Sequence, residues 1–217
     1  MWFLANRDEE GNLDDSRLVS FLRLITAFIW AYAIERPGVN SLRSPVYPEM
    51  VHIIKHEPVT FADYRFDREG ISDRFRTFQF TNQRAITRSM LAWWAYQDPM
   101  QEMWDVDTVL EVEHIYARKH AEVEPLDNSA NLEALGNKAL LEKKINIRAA
   151  DYRLSDKRKY YEGFTDGNGK EREGTRNAEL LRIVGSKADF TEKDICDRTG
   201  EIIDSFVGFL EANGLIA

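Results

Sequence analysis

Leu110-Glu-Val-Glu-His-Ile-Tyr-Ala-Arg118 is the stretch of the sequence that decides the fold. It overlaps an apolar, β-branched run, Thr108 to Ile115, which predicts a strand after a long region of helical periodicity. The run ends with a carboxylate and an imidazole side by side, Glu113 and His114. We therefore expect the end of this strand to carry the chemistry of the chain.

The residues that follow complete one small predicted unit. Residues 116–131 contain Pro, Asp, Asn and Ser and predict a loop. A short second strand is predicted at Ala139 to Leu141, after the turn-prone pair Gly136-Asn137, and a helix is predicted over 145–164 with a break at Leu154-Ser155. The order is therefore strand, loop, strand, helix.

The rest of the chain is predicted to be helical. An N-cap cluster at Asp14-Asp15-Ser16 precedes apolar residues at helical spacing, and Pro37-Gly38 ends that helix. Further helices are predicted from Pro48 to Ile54 and within 61–80. Another begins at a cap, Thr81 or Asn82, and ends before Asp98. The last two are predicted over 175–184 and 191–213, after an exposed loop over 165–171. The fold class is thus mainly α (α+β), with a helical region at 1–100 and a second domain at 101–217, of which 108–164 is the core and 175–214 the closing helices.

Composition and charge limit the class of protein. The chain has 217 residues, 43% of them hydrophobic, which is typical of a folded globular protein. One cysteine, Cys196, excludes an internal disulfide, and neither a signal peptide nor a bilayer-length apolar stretch is recognised, since Leu18 to Ile34 is short and contains Arg23. We expect a cytoplasmic protein with no membrane partner.

The net charge of −8 is unfavourable for a nucleic-acid partner, but the charge is unevenly distributed. Residues 101–135 carry nine acidic and two basic residues, and residues 138–160 carry eight basic and three acidic ones. An acidic metal-binding part beside a basic phosphate-binding part would produce this pattern, and so would a solvated charged helix. The candidate phosphate or DNA contacts are Lys138, Lys143, Lys144, Arg148, Lys157 and Arg158.

Glu113 and His114 form a candidate catalytic pair. A carboxylate is a ligand that Mg²⁺ prefers, and an imidazole can deprotonate water near neutral pH. Alternate side chains of a strand point to opposite faces, so the two residues share a site only if the strand end bends. A histidine at a strand end can equally be an ordinary polar residue.

Two asparagines follow at a spacing of nine residues, Asn137 and Asn146. Asn137 belongs to a Gly-Asn turn, where it could be simple turn chemistry or could hold the His114 ring in one tautomer. Asn146 lies near a helix start, where it could be a cap or a neutral metal ligand. A carboxylate–histidine pair followed by these two asparagines is the layout of a metal-dependent nuclease site.

These residues resemble the ββα-metal (HNH, or His-Me finger) nuclease motif in its His-Asn-Asn form. The longer pattern is similar to the C-terminal nuclease domain of GmrSD-type (type IV) restriction endonucleases. It consists of Glu113-His-Ile, Leu135-Gly-Asn-Lys-Ala-Leu-Leu141, Ile145-Asn146 and Leu154-x-x-Lys157-Arg158-x-x-Tyr161, flanked by Gln83-Arg-Ala-Ile86 and Ile195-x-x-Arg198-x-x-x-Ile202. The chain departs from the family pattern at Tyr116-Ala-Arg118, where a proline is usual, and at Lys138, where leucine is commoner.

The resemblance implies a helical domain enclosing a ββα-metal motif and an endonuclease that hydrolyses DNA in restriction or phage defence. His114 would be the general base, oriented by Asn137. Glu113 and Asn146 would bind one Mg²⁺ or Mn²⁺ ion, and Lys157 would contact phosphate. The N-terminal nucleotide-dependent domain of the family is not in this chain and is an expected partner.

A second hypothesis belongs to another functional class. The chain could be a non-catalytic helical interaction module in which the ββα unit is degenerate and only structural. Divalent-cation binding that depends on Glu113 and Asn146 would distinguish the two hypotheses.

Overall fold

The computed structural model describes residues 1–150 and 152–217, and the fold is mainly helical with two small antiparallel sheets. The helices are α1 Trp2–Ala5, α2 Asp15–Glu35, α3 Arg43–Ile54, α4 Arg68–Thr77, α5 Ala85–Ala95, α6 Arg118–Val123, α7 Lys143–Ala149, α8 Leu154–Glu162, α9 Ala178–Ser186 and α10 Glu192–Ala212. The strands are β1 Leu110–His114, β2 Lys138–Glu142, β3 Phe164–Thr165 and β4 Glu171–Arg172. Three short 3₁₀ turns span Val39–Leu42, Ser129–Glu133 and Leu135–Asn137. The predicted fold class is confirmed.

The described residues divide into two compact units, one formed by 1–78 with 203–217 and the other by 79–202. The boundary therefore lies at residue 78, whereas the sequence analysis drew it at residue 100. The reason is that the segment containing α5 bonds to the sheet unit. Asn82 donates to the carbonyl of Val112 on β1, and the indole of Trp94 donates to Glu179 on α9.

The first unit is helical and has an aromatic core. The ring of Phe28 on α2 stacks on the ring of Phe61 with centroids 3.7 Å apart, and both side chains are buried. Phe66 exchanges backbone hydrogen bonds with the C-terminal segment, donating to Leu215 and accepting from Ala217. These contacts tie the two ends of the chain into one unit.

Helix α2 is longer than the sequence analysis allowed. It runs for 21 residues, from Asp15 to Glu35, and by length and composition alone it could cross a bilayer. The statement that this segment is too short was wrong, because the helix extends past both ends of the apolar run. A third of its apolar window is buried inside the protein.

The second unit contains the predicted ββα arrangement. Strands β1 and β2 pair antiparallel, with Leu110 opposite Glu142 and His114 opposite Lys138, and α7 follows β2 directly. Ile115, Ala139, Leu141 and Ile145 contribute to a buried apolar cluster that also includes residues of α8 and α9. This packing holds the end of β1 against the helices.

Several local predictions differ from the structure. The segment predicted as a loop contains α6. The exposed loop predicted over 165–171 is present as the turn of the hairpin β3–β4, whose strands include its first and last residues. Helix α5 begins after Arg84, with no side-chain cap from the predicted Thr81 or Asn82, and Asn82 bonds to β1 and β2 instead. In the last case, hydrogen bonds of Asn82 to the sheet replace the predicted cap.

The predicted helix over 145–164 is two helices, α7 and α8. Ala150, which ends α7, has a positive φ of 48°, a conformation that cannot continue a right-handed helix. The break predicted near Leu154-Ser155 therefore exists, between the end of α7 at Ala149 and the start of α8 at Leu154.

Asp14 caps α2, and the structure predicts the cost of removing it. Its carboxylate accepts from the backbone N–H of Arg17 at 3.0 Å. We expect Asp14→Ala to lower the free energy of unfolding by about 1 kcal/mol, the usual contribution of an N-cap, measured by urea denaturation. Asp15→Ala is the matched control, since Asp15 lies in the first turn and is not the cap residue; equal losses in both variants would contradict the capping role.

Candidate active site

Strand β1 directs Glu113 and His114 to different surroundings. Glu113 contacts Lys157 and Tyr161 on α8, whereas His114 lies beside Glu133 and opposite Lys138 of β2. The two side chains therefore keep the alternation of a regular strand. The bend that would bring both into one site is not present.

His114 is buried at the end of β1. Its Nε2 atom is inaccessible to solvent and lies 3.4 Å from Oε1 of Glu133, and no hydrogen-bond partner for Nε2 exists among the described residues. About 9% of the side-chain surface remains exposed, and none of it belongs to Nε2. The imidazole thus has its Nε2 atom turned into the protein and only a small part of the side chain open to solvent.

A charged network surrounds this ring. Glu133 accepts from Arg118 at 2.7 Å through Oε1 and from Lys138 at 2.7 Å through Oε2. The fully buried Lys138 ammonium also donates to the side chain of Asn82 at 2.7 Å. Because two cations flank one carboxylate, the surroundings of His114 favour its neutral form.

Asn137 contacts the backbone after His114, and the hydrogen bonds of its side chain go to main-chain groups. Its Oδ1 accepts from the N–H of Tyr116 at 2.7 Å, and its Nδ2 donates to the carbonyls of Tyr116 at 3.1 Å and Leu132 at 3.0 Å. Its own carbonyl accepts from the N–H of Ile115 at 2.8 Å. Asn137 thus positions His114 through the chain that follows it.

The segment Tyr116-Ala117-Arg118, where the family pattern usually has proline, is well anchored. The Tyr116 hydroxyl donates to the carbonyl of Glu124 at 2.6 Å, and its ring packs against His120 with centroids 4.6 Å apart. In the family a proline usually restricts the backbone at this position. Here the contacts of Tyr116 and Asn137 restrict it instead.

Glu113 already has a cation beside it. Its Oε1 accepts from the ammonium of Lys157 at 2.5 Å and from the hydroxyl of Tyr161 at 2.9 Å. Glu113, Lys157 and Tyr161 are all buried, and burial together with the charge of Glu113 raises the pKa of Tyr161 well above its usual range. As placed, the Glu113 carboxylate does not fit a divalent ion, since an added cation would be repelled by the buried ammonium.

Asn146 meets a different carboxylate. Its Nδ2 donates to Oε2 of Glu111 at 2.9 Å, and Lys143 lies 3.5 Å from the other oxygen of Glu111. The Glu111 side chain is one-third exposed, so a hydrated ion could reach it. Among residues 1–150 and 152–217, no group of three His, Cys, Asp or Glu side chains is arranged to hold a metal.

The six predicted phosphate-binding residues fall into different environments. Lys138 and Lys157 are fully buried and paired with carboxylates, so they would have to leave these partners to reach a phosphate. Arg158 donates to the carbonyls of Val184 and Lys187. Lys143, Lys144 and Arg148 line one open cleft, which also contains Arg176 and four carboxylates.

Three polar residues near His114 and Asn146 were missed in the sequence analysis: Glu111, Glu133 and Asn82. Glu111 could have been found, because it precedes Glu113 by two residues and so shares a strand face with it. Glu133 and Asn82 carry no local signal, since they reach the site from a 3₁₀ turn and from the segment before α5.

Comparison with known proteins identifies a family whose model matches most of the chain. The model of the family described as GmrSD restriction endonucleases, C-terminal domain, matches residues 62–205, which is 144 of the 217 residues. Searches of curated proteins and of solved structures gave no significant match. Because the match covers about two thirds of the chain and includes the whole ββα unit, the chain belongs to the family of GmrSD restriction endonuclease C-terminal domains.

Proposed function

We propose that this domain is an HNH-type endonuclease that hydrolyses DNA phosphodiester bonds with His114 as the general base. One observation carries the proposal: a buried imidazole at the end of β1 has its Nε2 atom facing Glu133 and keeps a small part of its side chain exposed. Membership of a restriction endonuclease family supports DNA as the substrate. A positioned base contributes about 10²- to 10⁴-fold to a hydrolytic rate.

Glu133 orients the ring in this proposal. If Nε2 carries the ring proton and donates a hydrogen bond to the Glu133 carboxylate, the lone pair of Nδ1 is free to accept a proton from water. The separation of 3.4 Å is long for a hydrogen bond, and such contacts often tighten when substrate binds. Glu133 is held for this role by Lys138 and Arg118.

The protonation state of the ring supports the same role. Burial, together with the charges of Lys138 and Arg118, lowers the pKa of His114 to about 4, although Glu133 acts in the opposite direction. At neutral pH the imidazole is therefore uncharged and able to accept a proton, and the same shift makes it a weaker base than a free imidazole. Asn137 keeps the following backbone in place, as a positioning residue.

We propose Mg²⁺ or Mn²⁺ as the metal, held by Asn146 together with Glu111. These two side chains come together near the start of α7, and a turn of the Asn146 amide about its last bond would bring its oxygen to the ion. A bound ion would supply positive charge to a phosphate. Because Glu111 lies on the strand face opposite to His114, the end of β1 would have to bend for the ion and the base to act on the same phosphate. Glu113, the carboxylate expected from the sequence, would join it only after releasing Lys157.

The DNA backbone is proposed to lie along the cleft beside α7. Lys143 and Lys144 are exposed there, and Arg148 lines the same cleft. These side chains would neutralise phosphates and give affinity without sequence choice. The family is the C-terminal part of a larger protein, so a partner domain that depends on nucleotide and a cytoplasmic role in defence against foreign DNA are part of this proposal.

His114→Ala tests the catalytic assignment. We expect at least about a 10²-fold loss of Mg²⁺- or Mn²⁺-dependent nicking of plasmid DNA, with the circular dichroism spectrum unchanged. His52→Ala is the control, because His52 lies on α3 in the other unit and contacts Glu49. Undiminished nicking by His114→Ala would refute the assignment of His114 as the general base.

A second experiment separates the two candidate carboxylates by calorimetric titration with Mn²⁺. We expect Glu111→Gln and Asn146→Ala each to weaken binding by about tenfold or more. Glu113→Gln combined with Lys157→Met removes the buried pair together, so that no unpaired charge remains, and should bind Mn²⁺ as the wild type does. Loss of binding in the double variant, with binding kept in Glu111→Gln, would return the ligand role to Glu113.

The depressed pKa of His114 predicts an acid-sensitive fold. The folded value of about 4 lies below the unfolded value near 6.5, so the stabilisation by the neutral ring is complete above pH 6.5 and is lost as the pH falls towards 4. The free energy of unfolding can be measured by urea denaturation with a chelator present. Between pH 7 and pH 4 it should fall by up to about 3 kcal/mol more in the wild type than in His114→Gln. Parallel curves for the two proteins would contradict the shift.

A further inference from the structure

We infer that Arg198 on α10 is a positioning residue for the active site, which acts by holding the turn that contains Asn137. The inference rests on the proposed function, because the turn matters for cleavage only if His114 is the base. Arg198 is distant from the motif in sequence and buried, with 6% of its surface exposed.

The guanidinium group of Arg198 donates hydrogen bonds to the backbone of the turn. Its Nη1 donates to the carbonyls of Leu135 at 3.2 Å, Gly136 at 2.9 Å and Lys138 at 2.8 Å. These carbonyls flank Asn137 on both sides. One side chain therefore satisfies three backbone acceptors that bracket a single functional residue.

Glu179 on α9 fixes the direction of this guanidinium. Its two carboxylate oxygens accept from Nε and Nη2 of Arg198, both at 2.7 Å, and Oε1 also accepts from the indole of Trp94 at 2.8 Å. The bidentate pairing leaves only Nη1 to face the turn. A lysine could not do this, because an ammonium has no fixed planar array of donors.

Gly136 shows how closely α10 approaches the same turn. A Cβ atom at this position would lie 2.2 Å from the Thr199 hydroxyl and 2.3 Å from the carbonyl of Ile195. The turn is therefore pressed against one face of α10, next to Arg198. Glycine is required here by close packing, which leaves no space for a side chain.

The contacts continue from the turn to the base. Asn137 bonds to the backbone of Ile115 and Tyr116, the two residues directly after His114. On the other side of the turn, Lys138 lies opposite His114 across the β1–β2 pair. Displacing the turn would thus move the segment on which the His114 ring depends.

Burial of an ion pair alone does not explain this arrangement. Replacing a buried pair with apolar residues is often neutral for stability, so the pair is better accounted for by the geometry that it imposes. Trp94, Glu179 and Arg198 come from three helices and form one series of hydrogen bonds that ends at the turn. The residues form a scaffold for Asn137.

Hydrogen exchange measured by NMR tests the inference without any assay of cleavage. In Arg198→Met combined with Glu179→Met, the amides of Ile115 and Tyr116 should exchange at least about tenfold faster relative to the amide of Thr175, which bonds to Tyr161 in the same unit. Val184→Ala, a core change in α9, is the control and should accelerate all three amides equally. Equal acceleration in the double variant would show that the pair only stabilises the unit and would overturn the inference.

Cleavage kinetics provide the second readout. Arg198→Lys should lower kcat by about tenfold or more with little change in KM, and adding it to Asn137→Ala should cause no further loss, because both changes act through one turn. Additive losses would overturn the inference. If the wild-type protein does not cleave DNA, the proposed function fails while the exchange experiment still decides whether Arg198 holds the turn.

Discussion

The second unit depends on the hydrogen bonds that the buried Asn137 side chain makes with the backbone of Tyr116. These bonds satisfy one donor and one acceptor in a segment that leaves the sheet and would otherwise have unpaired polar groups in the interior. They also determine where the chain goes after His114. Side-chain amides are well suited to this task because they present a donor and an acceptor in one plane.

Buried charge is the second constraint on this unit. Three cations, those of Lys138, Lys157 and Arg198, are inside it, and each has a carboxylate partner at 2.7 Å or less. Removing any one partner would leave a buried charge, which is strongly destabilising. The acidic and basic stretches of the sequence therefore serve partly to neutralise one another inside the protein, while other basic residues, Lys143 and Lys144 among them, are exposed.

The candidate site was partly predictable from the sequence. His114 at the strand end and Asn137 in the turn follow from local pattern and spacing, and the structure places them next to one another through Tyr116. The partner of Asn146 could not be predicted. Two carboxylates lie on the same face of the strand, and spacing along the chain does not say which of them the helix will contact. Glu133 was not predictable, since its role depends on the packing of a turn against the sheet.

The sequence by itself determined the order of strand, loop, strand and helix and the position of the imidazole at the strand end, because hydrophobic period and turn residues are local properties. Only the tertiary structure decided that Glu113 pairs with Lys157, 44 residues away, and that Arg198 reaches the Asn137 turn from a distant helix. Such pairings depend on which buried charges become neighbours when the helices pack, and no local pattern encodes that choice.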